Sequence, residues 1–367
     1  MSPEVFEEQM RYLAEKGYYT LHISELIRFL YGRRPPPSPS VVITFDDGYL
    51  DNWVYAYPIL KKYGLKAALC LITERVEAGE GETRPNLYDV WEGRVTLDQL
   101  PSIPTHEVAN ARAYSGGRFG GGHVNWSEVK QMVKSGLIDI YSHTHTHSPC
   151  FYDETITGFL LDSTPPWEAV ASTRGDLRSG LPLHPWRSAL VARRYIDDER
   201  LVERLVEFAT NSCPGTSTEV QAELESKLWR IVEEYRKEHG QAGFYEDHEV
   251  YLRRVVEELV RSKALLEEYL DRPCKYICWP FGEHSSLLIS LAQQLGYKGA
   301  ITNDCGVNVR GSDPFLLRRV PAPGDFEAFK RTVKTYSSGL RERVQRVRTA
   351  AFNSRPGYYS PADASPS

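Results

Sequence analysis

The chain has 367 residues, 41% of them hydrophobic and 25% charged, with a net charge of −5 and a pI near 6.1. That composition suits a soluble globular protein with a large core, built as one big domain or two of ordinary size. It provides no overall basic field for nucleic acid, "VARRY" (191–195) being too short a cluster to change this, and no run nears the ~20 apolar residues of a membrane span.

The first segment, "MSPEVFEEQMRYLAEKGYYT", reads as a helix, with Phe6, Met10, Leu13 and Ala14 at helical spacing. It lacks the basic–apolar–small pattern of a signal peptide. The expectation is therefore a protein not exported by its own signal and cytoplasmic by default, or extracytoplasmic if an upstream segment precedes it. "SVVITF" (40–45) reads as one buried strand, and "NWVYAYPILKKYG" after it as a helix closed by Gly64. "LKAALCLI" (65–72) is a second apolar strand. "NWSEVKQMVKSG" (125–136) has Asn125 as cap, Glu128 three residues on, and Gly136 as terminator, so it reads as a capped helix. "LIDIYSH" (137–143) follows as a strand. Further on, "VYLRRVVEELVRSKALLEEYL" (250–270) reads as a long amphipathic helix, "CKYICWPFG" as a strand leaving it, "LLISLAQQLGY" (287–297) as a helix and "KGAIT" as a strand. Strand–helix alternation of this kind favours a parallel α/β sheet or barrel.

Two stretches break the alternation. Residues 77–124, with "YSGGRFGGGH" (114–123), read as a loop insertion. Residues 148–245 carry Pro-rich linkers and two helical patterns, "DDERLVERLVEFAT" and "STEVQAELESKLWRIVEEYRKEHG", and read as a helical insertion. The organisation expected is a single catalytic domain over 1–340 with these two insertions, then a tail over 341–367 that is disordered at its end. The six cysteines (Cys70, Cys150, Cys213, Cys274, Cys278 and Cys305) are scattered. A chain this large needs no disulfide staples, and the C-x3-C pair Cys274/Cys278 reads as two packed thiols rather than as half a zinc site.

Two motifs carry chemistry. "VVITFDDGYLDN" (41–52) ends an apolar strand on two adjacent carboxylates, Asp46 and Asp47. "YSHTHTHSP" (141–149) places three histidines within five residues at the end of another. Imidazole is the commonest metal ligand. In a straight strand His143 and His147 would lie ~13 Å apart, so the chain must curl for both to reach one ion at ~2.0–2.1 Å. A curled segment points the i and i+4 residues the same way and turns His145 aside. Two histidines want a carboxylate, and in parallel α/β folds functional groups gather at the C-terminal strand ends, where Asp46 and Asp47 also sit. One acid can bind the metal while the other serves as base.

Thr44-Phe45-Asp46-Asp47-Gly48 and His143-Thr144-His145-Thr146-His147 resemble the T-F-D-D-G and H-[ST]-x-x-H motifs of the polysaccharide deacetylase family (NodB-homology domain, carbohydrate esterase family 4). "CKYICWPFGEHSS" (274–286) resembles the W-P-[YF]-G segment of relatives acting on poly-N-acetylglucosamine. The resemblance covers roughly residues 4–75, 125–150 and 250–325. It implies an α/β fold, a distorted (β/α) barrel, and hydrolysis of N-acetyl groups on amino sugars of a glycan or oligosaccharide. It implies one divalent metal ion, zinc first, with Co²⁺, Ni²⁺ or Fe²⁺ as alternatives. Asp46 maps to the catalytic base, and Asp47, His143 and His147 to the metal ligands. Tyr49 would offer a backbone N–H to the oxyanion, and Trp279 and Phe281 faces to a sugar ring.

The chain departs from the family pattern twice. Where the family's third motif has an arginine that orients the base, this chain has Cys278; Arg319 in "FLLRRVPAP" is the first candidate to replace it and Arg187 in "HPWRS" the second. No histidine follows residue 285 to serve as general acid, which leaves His284, His123 and His106 as candidates. A metal-dependent amidase or O-acetyl esterase, and a sugar-binding module without activity, are the competing readings.

Overall fold

The computed structural model describes residues 1–32, 34, 36–79, 81–106, 108–110, 122–161, 171, 178–212 and 218–337. The sequence expectations for residues 114–121, Cys213 and the tail 341–367 lie outside them. The chain forms two compact units: Met1–Ile103 with Gly120–Thr146 and Leu259–Ser367, and Pro104–Phe119 with His147–Glu258. The division falls inside the turn 143–147. That turn continues a strand of the first unit and is described with it.

The first unit is built on a six-stranded, all-parallel sheet. Its strands are β3 (Thr44–Phe45), β4 (Ala67–Leu71), β5 (Ile138–Ser142), β12 (Tyr276–Cys278), β13 (Gly299–Cys305) and β14 (Leu317–Arg319), in the order β14-β13-β12-β5-β4-β3. β4 is buried along its whole length and pairs residue for residue with β5, Ala67 opposite Ile138 through Leu71 opposite Ser142. Ala68, Cys70, Tyr141, Tyr276, Cys278 and Ile301 meet on one face to form the core. Alternating side chains from successive strands fill the inside of a curled sheet in this way. β3 and β14 stand at opposite ends of the strand order, yet Arg319 on β14 reaches Thr44 Oγ1 (3.4 Å) and Asp46 just beyond β3. The sheet is therefore rolled into a distorted barrel.

The helices follow their local signals. Helix α1 (Pro3–Glu15) starts at an N-cap Ser2 with Pro3 in the first turn. The segment after β3 is a π-helical turn over Asn52–Ala56 that runs into a helix over Tyr57–Tyr63, ended by Gly64 in the left-handed conformation. The helix Trp126–Lys134 carries the full reciprocal capping box between Asn125 and Glu128.

One strand reading is corrected. "SVVITF" is not a single buried strand: Ser40–Val41 forms β2, parallel to β1 (Tyr19–Thr20), and only Thr44–Phe45 joins the main sheet, as a half-buried edge. An apolar run does not reveal that its two halves take different hydrogen-bonding partners.

The second unit holds the two expected helices, Glu199–Asn211 and Thr218–His239, packed through Leu201, Leu205, Leu224, Leu228 and Val232. It also carries three small antiparallel pairs that the sequence did not signal. These are β6 (Pro149–Phe151) with β9 (Trp186–Ser188), β7 (Gly158–Phe159) with β8 (Pro182–Leu183), and β10 (Tyr195–Asp197) with β11 (Gly243–Tyr245). No helix among the described residues is long and apolar enough to cross a membrane.

Candidate active site

Backbone geometry at the ends of β3 and β5 supplies the curl that two clustered ligands require. After Asp46 the chain turns sharply: Asp47 has φ +71°, and the Gly48 N–H donates to the Asp46 carbonyl at 2.9 Å, closing a three-residue turn. Gly48 follows at φ +82°, where a Cβ would lie 2.6 Å from Leu71 Cδ2, so glycine is needed there. Beyond β5, Thr144 (φ +67°) and His147 (φ +55°) are also left-handed. Non-glycine residues held there cost about 1–3 kcal/mol each and cluster at functional sites.

The turns send the two aspartates in different directions. Asp47 faces the histidines: Asp47, His143 and His147 each offer a ligand atom, all within 4.8 Å of one another. Asp46 also has an oxygen within 4.8 Å of His143 and Cys278, but both its oxygens go to Arg319, with Nη1 at 2.9 Å from Oδ1 and 2.8 Å from Oδ2. The Cys278 thiol donates to Asp46 Oδ1 at 3.6 Å. Arg319 is the only one of the two candidate arginines found on Asp46. Arg187 lies in β9 opposite Cys150, with its guanidinium 5.5 Å from the centre of the Tyr152 ring.

The donor set fits a divalent cation. His143 Nδ1 lies 2.8 Å from the Cys278 carbonyl, which can only accept, so that nitrogen carries the proton and Nε2 presents a lone pair. Nε2 in turn faces Asp47 Oδ1 at 3.4 Å, and two acceptors at that distance want positive charge between them. Burial opposes charge on the ring, but Cys278, Asp46 and Asp47 push its pKa up to about 10, so the surroundings favour positive charge here. A metal ion meets the same need, and two imidazoles with one carboxylate leave positions open for water and substrate. His145 is turned out of this set, with Nδ1 3.0 Å from Thr73 Oγ1. Arg319 keeps its charge: burial opposes it, and Cys278 and Asp46 raise its pKa.

The other sequence candidates fall as follows. Tyr49 is buried and stacked on His123, ring centres 5.2 Å apart, and the two residues form an isolated antiparallel bridge. That bridge is held from behind, because Arg84 donates to the His123 carbonyl (2.7 Å) and to Glu128. Trp279 is corrected: it is 0% exposed, and its indole N–H donates to the Phe315 carbonyl, so it belongs to the core and offers no face to a sugar. Phe281 is half-buried with φ +59°. His284 is half-buried and His106 exposed. Cys274 and Cys278 are buried free thiols, as expected: the Cys274 thiol donates to the Tyr276 carbonyl, while Cys278 meets Asp46 and Cys70. The cysteines among the described residues are free thiols. Sequence reasoning missed Cys70, Thr302 and Asn303 beside Cys278 and Arg319, for no local pattern marks them.

Residues 33–169 match the family profile described as polysaccharide deacetylase. The resemblance to the polysaccharide deacetylase family is borne out. Among curated relatives, the Bacillus subtilis (strain 168) protein YxkH is 45% identical over 71 residues, 19% of this chain and 25% of that protein. The poly-β-1,6-N-acetyl-D-glucosamine N-deacetylase of Escherichia coli (strain K12) is 26% identical over 137 residues, 37% of this chain and 16% of that protein. The matches thus span a quarter or less of these deacetylase relatives' own length. Among solved structures, the BpsB deacetylase domain from Bordetella bronchiseptica aligns with a TM-score of 0.50 at 18% identity, over 84% of this chain and 81% of that one. At that identity the likeness is one of fold, and the fold is that of the NodB-type deacetylases.

Proposed function

We propose that this protein is a metal-dependent hydrolase that removes N-acetyl groups from amino sugars of a glycan, releasing acetate and leaving a free amine. The observation that carries the reading is the split between adjacent acids, Asp47 turned to His143 and His147 and Asp46 turned to Arg319. Asp47, His143 and His147 would hold the ion, zinc in the first place. A bound divalent cation polarises a carbonyl and lowers the pKa of water from about 15.7 towards about 7. Asp46, aimed by Arg319, takes the proton from the water that attacks the acetyl carbon. The Tyr49 N–H, presented by the turn after Gly48, faces the carbonyl oxygen as charge builds on it. The C–N bond then breaks, and the proton held by Asp46 passes to the departing nitrogen, leaving acetate and a free amine.

The name of the E. coli relative, a poly-β-1,6-N-acetyl-D-glucosamine N-deacetylase, together with the W-P-F-G segment, makes poly-β-1,6-N-acetylglucosamine the first substrate to test. Acetate release is measured from oligomers of that polymer, from chitooligosaccharides and from acetylated xylan, with zinc supplied. Release from an N-acetylated glycan is the expected result. Release from xylan alone makes the protein an esterase, and none from any substrate refutes the proposal.

A further inference from the structure

The W-P-F-G segment (279–282) is left without a role once Trp279 is found in the core, and its geometry points elsewhere. The Trp279 N–H donates to the Ile301 carbonyl of β13 at 3.0 Å, and the Gly282 N–H returns to the Trp279 carbonyl at 2.9 Å. Phe281 (φ +59°) and Gly282 (φ +75°) are consecutive left-handed residues, so the turn is held in a tight and specific shape. It lies directly on Asn303: a Cβ at Gly282 would stand 2.5 Å from Asn303 Cβ and 2.8 Å from its backbone nitrogen. Asn303 lies where the β13–β14 register shifts, between Ile301 and Cys305. Irregularities of this kind re-aim a side chain.

Asn303 is aimed at Arg319. Its Oδ1 accepts from Arg319 Nη2, the preceding Thr302 carbonyl accepts from Nε at 3.0 Å, and Nη1 is left for Asp46. With Thr44 Oγ1 also 3.4 Å from Nη1, four acceptor groups fix one planar guanidinium, and two of them come from consecutive residues of β13. Arginine is a long side chain with high rotamer entropy, and Arg319 ends a strand at the rim of the sheet. Its aim at Asp46 needs outside support. On the β13 side that support comes from the Thr302 carbonyl and Asn303 Oδ1.

We propose that Asn303, seated by the close approach of Gly282 in the W-P-F-G turn, is a positioning residue that aims Arg319 at Asp46. This rests on the reading of Asp46 as the base. The test uses the zinc-loaded full chain with poly-β-1,6-N-acetylglucosamine oligomers. Asn303→Ala is expected to lower kcat by about 10- to 100-fold, the scale of a slight misplacement, with KM, zinc content and melting temperature close to those of the unmodified protein. Asn303→Asp keeps an acceptor for Nη2 and is expected to recover most of the rate. Wild-type kcat in Asn303→Ala, or no recovery in Asn303→Asp, overturns the proposal. A crystal structure of Asn303→Ala decides the positioning independently of any substrate: Arg319 swung away from Asp46 supports it, and Arg319 unmoved refutes it. Should the unmodified protein release no acetate, the functional reading fails while that structure still reports on the Arg319 aim.

Discussion

Asp46 and Asp47 are chain neighbours that share His143 but differ in the rest of their company: a guanidinium and a thiol for one, a second imidazole for the other. The left-handed conformation of Asp47 turns the chain between the two side chains. The division separates the groups by what each substitution should remove. Asp46→Asn keeps the shape of the side chain and leaves the Asp47 cluster intact, so zinc content by elemental analysis should be unchanged. Acetate release should fall by about 10²- to 10⁴-fold, the usual contribution of a general base. His143→Ala and His147→Ala each delete a ligand and should lose zinc and turnover together. Zinc retained at full stoichiometry in either would take that histidine out of the ligand set.

At the scale of elements, the loop after β3 depends on a buried brace. Glu128 is fully buried; it caps its own helix through the Asn125 N–H (2.9 Å) and holds Arg84 through Nε and Nη2 (2.8 and 2.7 Å). Arg84 in turn holds the His123 carbonyl, and Gly122–Val124 pairs with Gly48–Leu50. Breaking a buried pair typically costs 3–5 kcal/mol, and Arg84 is 22% exposed, which favours the lower end. Glu128→Ala should therefore lose about 3 kcal/mol in denaturant unfolding. A loss below about 1 kcal/mol would show that Arg84 finds equal partners in Glu77 and water. In the second unit, Arg254 grips Glu246 through Nε and Nη2 at 3.0 and 2.7 Å. Burial raises the Glu246 pKa, but Arg254 lowers it further, and the net folded value lies below 4.5. A depressed carboxylate stabilises the fold above its unfolded pKa and loses that contribution as pH falls through the folded one. The stability gap between the unmodified protein and Glu246→Gln should thus be open at pH 7 and narrow steadily below about pH 4.3. A gap independent of pH would contradict the pairing.

Over the whole molecule, what could be read from sequence was what is local. The capping box at Asn125, the Gly64 stop, the five-residue β4 and the spacing of the two motifs all depend on neighbours within a few positions. The divided partners of residues 40–45 were not legible, because an apolar strand carries no mark of which strand it will pair with. Nor were the small strand pairs of the second unit, whose runs of two or three residues are too short for a periodicity to show. Arg319, with Asn303 behind it, meets Asp46 only because the sheet curls, across a sequence separation of 273 residues. No spacing rule spans that distance. The deacetylase motifs stand out because both strands end at the same rim and each presents its polar residues within one turn.

The central claim is that one divalent cation is gripped jointly by the turn after β3 and the histidine turn after β5, with Asp46 beside it on Arg319. Diffraction at the zinc absorption edge, on crystals of the unmodified protein grown with zinc, tests this directly. The account expects one strong anomalous peak ~2.0–2.2 Å from Asp47 and from one nitrogen of each of His143 and His147. No peak there, or one held by other side chains, would contradict it.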